Sequence, residues 1–284
     1  MLLPGMLFLL VFSFVPMVGV VIAFQRFIPT RGILNSQWVG LANFRYMFEI
    51  PDSGQVFRNT IIISVSKIAA NLLVPLAFAL LLNEVKVSWF KRSVQTIVYL
   101  PYFLSWVILA SAITNIFSLK GPINAIISFF GVKPIFFLTS NFWFRPIVVL
   151  SNTWKDFGFN TIIYLAAITA VNPLLYEAAI IDGANRWRQL LHVTVPGIAT
   201  TIVLLATLSL GNVLNAGFDQ IFNLYNPLVY STGDIVDTLV YRIGLENAQY
   251  GLATALGLLK SVLSSVLIVV SYFLAYRFAN YRIF

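Results

Sequence analysis

Apolar residues run through this chain in six long blocks, and polar residues fall in short clusters between them. The blocks extend from about Leu2 to Phe24, Arg58 to Leu82, Val94 to Phe117, Pro146 to Ile168, Ile198 to Phe222 and Leu252 to Phe278. Each is long enough to cross a ~30 Å hydrocarbon core as a helix. The pattern predicts an all-α membrane protein with six transmembrane helices, residues 1–284 forming a single transmembrane domain. Pro16, Pro75 and Pro101 sit inside three of the blocks. Each removes a helix hydrogen bond and should kink its helix.

The loops differ in character. The segment from Arg26 to Phe57 is rich in turn formers and holds a short amphipathic piece from Leu41 to Phe48. Trp38 and Tyr46 there suit the water–lipid boundary. Pro122 to Phe130 reads as an interfacial helix ended by Gly131 and Pro134. Residues 172–196 are the most polar island. Asn172 before Pro173 is a helix start, and Gly183 is a stop. The helix between them spans two to three turns, roughly 15 Å. It carries Leu174, Glu177, Ala178 and Ile181 on one face. Small Ala178 and Ala179 would let a partner backbone approach, and Glu177 offers it a charge. A plain alternative is an amphipathic helix lying on lipid headgroups.

Composition agrees with the spans. The chain is 59% hydrophobic and 10% charged, against about 25% charged in ordinary soluble domains. It has no cysteine and one histidine, His192, which excludes disulfides, thiolate metal sites and a His-based cluster. Met1 opens directly onto apolar sequence, without the basic region of a cleavable signal peptide. The formal net charge is +8, yet basic residues do not orient the chain. With residues 172–196 inside, seven are inside (Lys86, Lys91, Arg92, Arg186, Arg188, Arg277, Arg282) and eight outside (Arg26, Arg31, Arg45, Arg58, Lys120, Lys133, Arg145, Arg242). The loop from Asn83 to Ser93 follows the rule locally, with three basic residues to one acidic.

The order Glu177-Ala178-Ala179, three residues, Gly183, nine residues, then Val193-Thr194-Val195-Pro196 resembles the cytoplasmic loop of binding-protein-dependent ABC importer permeases. Val193 and Val195 stand where Ile and Leu are commoner in that family. Phe218-Asp219-Gln220-Ile221-Phe222 and Tyr250-Gly251-Leu252-Ala253-Thr254-Ala255 are similar to the fifth and last helices of carbohydrate-importer permeases. The likeness covers most of residues 58 to 284 and is strongest to the branch that imports complex or acidic saccharides such as alginate. The resemblance implies the type I, maltose-permease-like permease fold, with the 172–196 loop forming a cytoplasmic coupling helix. Glu177, Ala178, Ala179, Ile181, Asp182, Gly183 and Arg186 would then meet an ATP-hydrolysing subunit. It also sets the orientation and implies a multi-pass protein of the bacterial inner (plasma) membrane. The implied partners are two ABC ATPase subunits, a second permease chain completing a heterodimer, a solute-binding protein, the saccharide and the bilayer, with no nucleic acid. No cofactor belongs to this chain; ATP and Mg would sit on the partners.

Polar groups inside the blocks are candidates for the path. Lys67, Lys155 and Lys260 each lie nine residues inward of Arg58, Pro146 and Gly251, a depth of about 13 Å. They read either as a basic ring around an anionic sugar or as internally paired charges, with Asp156 a ready partner. Asn212, Asn215 and Asp219 recur at one face of the fifth block, where the resembling permeases line their sugar site. Asn152, Trp154 and Trp106 are further candidates for saccharide hydroxyls and ring faces. Interhelical hydrogen bonding and simple packing are the bland readings. No Gly-x4-Gly-Lys-Ser/Thr loop occurs, so the chain cannot cradle ATP phosphates itself, and no metalloprotease His-Glu-x-x-His exists. An ion-coupled transporter or channel is the alternative, with only Asp156 and Asp219 as membrane carboxylates to support it.

Overall fold

A computed structural model describes residues 2–279, with side chains to Phe273; Met1, the Arg277 side chain and Arg282 lie outside the described residues. The first block is helical from Leu3 to Phe24 (α1). Around Pro16 it passes through a π turn, Leu10–Phe14, and ends in a 3-10 segment, Val18–Phe24. Gln25–Arg26 (β1) pairs antiparallel with Gln37–Trp38 (β2). The predicted amphipathic piece follows as Ala42–Glu49 (α2).

The second block is one helix, Ser53–Asn83 (α3), of 31 residues, about 46 Å long. Pro75 interrupts its hydrogen bonding, and hydroxyls of Thr161 and Tyr164 reach the Pro75 and Leu72 carbonyls nearby. The third block divides into Ser88–Tyr99 (α4) and Trp106–Ile116 (α5). Between them the 3-10 turn Leu100–Phe103, with Pro101 inside it, helps turn the chain by 105°. Pro122–Phe129 (α6) ends at Gly131, whose φ is +77°. Asn141–Thr169 (α7) is followed, after a 67° turn, by Pro173–Ile181 (α8).

Arg186–Gly197 (α9) and Ala199–Leu210 (α10) meet at 57°. The fifth block then breaks, because residues 211–217 are not helical, and it resumes at Phe218–Leu224 (α11). Val236–Tyr241 (α12) and Tyr250–Ala279 (α13) are the last α-helices of the described residues. By length and composition, three helices can cross a membrane alone, and three bent pairs bring the number to six among the described residues.

The bundle is held by α3 against α7. Gly158 permits their neighbour α4 to close in, since a Cβ there would run into the Val98 carbonyl oxygen. One buried cluster joins Ile63, Leu109, Phe144, Val148 and Ile221. A second joins Ala79, Leu82, Tyr164, Ile168 and Ile198 at the end that carries α8, here the inner end. A third joins Met47, Val56, Val236, Leu252 and Leu256 near the outer end. α3 and α7 both run from outer to inner end, since Asn59 and Arg145 meet near one end and Thr161 and Pro75 meet further along.

Candidate functional site

At the inner end, α8 is built from local signals. The Asn172 side chain accepts from the Leu174 N–H at 3.0 Å, and Pro173 occupies the first turn, where no donor is lost. The other end closes in a Schellman arrangement: the Gly183 N–H donates to Ile180 and the Ala184 N–H to Ala179, at 3.0 and 2.8 Å. Gly183 takes φ +74°, a conformation costly to any residue with a Cβ. No α8 residue is buried in the chain, and Ile181 is 86% exposed. Glu177, Ala178, Asp182 and Arg186 are exposed, while Ala179 is half-buried. The surface is tied down lightly: Tyr176 Oη lies 3.0 Å from Thr194 Oγ1, and Arg186 pairs with Glu84 at 3.4 Å in the open.

Of the two readings of the intramembrane lysines, the structure shows internal pairing: each has acceptors within the chain, because an ammonium in hydrocarbon takes the nearest ones. Lys67, 6% exposed, donates to the Ala216 carbonyl at 2.6 Å and to Gln220 Oε1. Lys155 donates to the carbonyls of Pro101, Tyr102 and Leu104, at the C-terminal end of the 3-10 turn before the 105° bend. Trp106 lies beside it, its ring centroid 5.7 Å from the ammonium. Lys260 is ion-paired with Asp237. Asp156 pairs with no lysine within salt-bridge distance among the described residues; it accepts from Asn152 at 2.9 Å, and Asn152 in turn accepts from Asn71 at 3.1 Å. Trp154 is exposed on α7 outside this ladder.

Asn212, Asn215 and Asp219 do not share a helix face. Asn212 and Asn215 lie in the break and Asp219 at the start of α11, all three exposed. The break is held by groups that sequence reading missed. Gly217 has φ +85°, and a Cβ on it would stand 3.0 Å from Lys67 Nζ. Gln220 is fully buried and donates to the Val148 carbonyl and Ser151 Oγ, each at 2.8 Å. A signal existed in Gly211 and Gly217 bracketing polar residues inside an apolar block.

The outer end is tied by a second network. Asn59 donates to the Asp234 carbonyl at 3.1 Å and accepts from Arg145 at 2.7 Å. Arg145 also donates to the Thr232 carbonyl at 3.0 Å. Asp234, 3% exposed, pairs with Arg242 and accepts from Thr238 at 2.7 Å. Burial pulls the Arg242 guanidinium down, but the Asp234 hydrogen bond and charge outweigh it and leave its pKa raised. Burial first, then Tyr230, pushes the neighbouring Tyr225 phenol up to about 12.

Residues 72–280 match the family described as binding-protein-dependent transport system inner membrane component. The polygalacturonan/rhamnogalacturonan transport system permease protein YteP of Bacillus subtilis (strain 168) is 43% identical over 100% of this chain and 89% of its own. Protein LplB of the same organism is 40% identical over 100% and 90%. A chain from the crystal structure of a bacterial ABC transporter involved in import of the acidic polysaccharide alginate superposes with TM-score 0.91 at 37% identity, covering 98% of this chain and 94% of that one. A chain of the alginate transporter in complex with an alginate pentasaccharide-bound periplasmic protein gives TM-score 0.89 at 38% identity, with coverage of 97% and 92%.

Proposed function

The chain belongs to the binding-protein-dependent transport system inner membrane component family, and from that premise we propose that it is the permease subunit of an ATP-driven importer of acidic oligo- or polysaccharides. The observation that carries this reading is the agreement in backbone along 98% of the chain with a subunit of an acidic-polysaccharide importer. Uronate cargo is the chemistry shared by the alginate transporters and by the relative named for polygalacturonan.

In this reading α8 is the coupling helix. Its exposed Leu174, Leu175, Ile180 and Ile181 would be costly in water and are covered by an ATPase subunit, with Glu177 meeting a cation there. Two ATPase subunits hold ATP and Mg, and their closure moves the α8 helices of this chain and a second permease together. That movement converts an inward-open path to an outward-open one, and a solute-binding protein delivers cargo at the outer end. Six spans enclose half of the path. Asn212, Asn215 and Asp219, exposed at the break in the fifth span, offer amide and carboxylate partners to sugar hydroxyls, and Asn152, Trp154 and Trp106 line the approach.

The test is to purify the tagged chain gently from its host membrane, identify its stoichiometric companions by mass spectrometry, and reconstitute the assembly in vesicles. Two copies of an ATPase, one further permease, and ATP-dependent uptake of oligogalacturonate or oligoalginate are expected. Recovery of the chain alone, with uptake driven by an ion gradient and indifferent to ATP, overturns the reading.

A further inference from the structure

A cavity of about 1000 Å³ opens at the outer end, walled by the β1 strand, α2 and the start of α13. Its walls are cross-tied. The Asn43 amide donates to the carbonyls of Ala23 and Gln25 at 2.8 and 3.0 Å. Gly251 lets α13 approach, since a Cβ there would stand 2.5 Å from the Gln25 carbonyl oxygen. Into this preformed space face residues of mixed charge: Arg26, Arg45 and Glu49, with Tyr46 and Tyr250. Both arginines are exposed, and neither forms an ion pair among the described residues.

The surroundings indicate depth. The cavity sits where α1 ends and α13 begins, at the end of the bundle opposite α8. Trp38, Leu41 and Phe48 are exposed beside it, and the exposed Val18, Val15 and Phe14 continue along α1 away from it. Aromatic rings and arginines at a span's end mark the headgroup level, with an apolar helix face leading into hydrocarbon.

We propose that this cavity binds the headgroup of a phospholipid of the outer leaflet. Arg26 and Arg45 grip the phosphodiester through charge-assisted hydrogen bonds. Glu49, one turn beyond Arg45 on α2, accepts from an ammonium or hydroxyl of the headgroup. The acyl chains lie along the exposed face of α1, covering side chains that a soluble saccharide would leave in water. Glu49 therefore selects ethanolamine or glycerol headgroups over choline, which has no hydrogen to donate. The site requires that the chain spans a membrane with α8 on the inner side, and it does not depend on the cargo, so failure of the saccharide reading leaves it standing.

Native mass spectrometry of the full chain with its co-purifying subunits tests this, after exchange into phosphatidylglycerol, phosphatidylethanolamine or phosphatidylcholine. Retention of one of the first two in preference to phosphatidylcholine is expected. Arg26→Gln with Arg45→Gln should weaken retention at least tenfold, Arg26→Lys with Arg45→Lys should restore most of it, and Glu49→Leu, which removes the acceptor, should erase the preference over choline. If the double Gln variant does not assemble, the Glu49→Leu comparison decides by itself. Unchanged retention in the double Gln variant, unchanged headgroup preference in Glu49→Leu, or displacement of the lipid by inorganic phosphate or a galacturonate trimer overturns the proposal.

Discussion

Lys67 shows how a residue's role follows from its partners rather than its depth. It lies where a counter-charge for an acidic sugar would be useful, yet its ammonium donates to the Ala216 carbonyl and the Gln220 amide oxygen. It is a strut that holds the broken fifth span against α3. Replacing it with Met leaves those buried acceptors without a donor, which costs about 1–3 kcal/mol. Lys67→Met should therefore lower uptake of acidic and neutral saccharides by the same factor, measured as initial rates in vesicles. A loss confined to acidic cargo would return Lys67 to the path as a counter-charge. The three lysines could be found in the sequence, but their acceptors could not: Lys67 and Ala216 are 149 residues apart.

At the scale of the element, α8 is the part whose form was most legible beforehand. Asn172, Pro173 and Gly183 act within a turn of their own positions, so no distant contact is needed to place the helix ends. Gly183→Val forces a β-branched residue into φ +74°, costing about 1–2 kcal/mol, and frays the end that carries Ile181. Glu177→Lys leaves the helix intact and reverses the charge offered to its partner. Both variants should reach the membrane normally and show weakened coupling, read as saccharide transported per ATP hydrolysed. Wild-type coupling in Glu177→Lys would sink the docking role. The fifth span shows the opposite case. Its hydrophobicity is continuous enough to read as one helix, and only the Lys67–Gln220 network and the left-handed Gly217 divide it.

Across the whole molecule, the polar ties are unequal. The outer end is laced by Asn59, Arg145, Asp234 and Arg242, with Asp234 buried at the centre. The inner end, which carries α8, has an exposed Arg186–Glu84 pair with side chains 69% and 48% accessible. Removing one partner of a buried pair costs about 3–5 kcal/mol, whereas an exposed pair contributes about 0–1 kcal/mol. Asp234→Ala should thus lower the temperature at which the purified assembly loses its monodisperse peak by several degrees, and Arg186→Ala should barely move it. Equal shifts would mean that both ends are equally anchored. An anchored outer end with a lightly held inner end suits the proposed drive through α8.

The membrane class, the six apolar blocks, both ends of α8 and the likeness to importer permeases could all be read from the amino-acid order alone. These rest on composition, on spacing within a few residues, and on backbone groups that must be satisfied inside each helix in hydrocarbon. Long-range packing set where the fifth span breaks, which acceptor each intramembrane lysine takes, how Lys155 caps the turn before the 105° bend, and that Arg26, Arg45 and Glu49 share a cavity. Each of those depends on groups far apart along the chain, whose meeting is set by the packing of whole helices and by the cost of leaving a charge or carbonyl unpaired in a low-dielectric core.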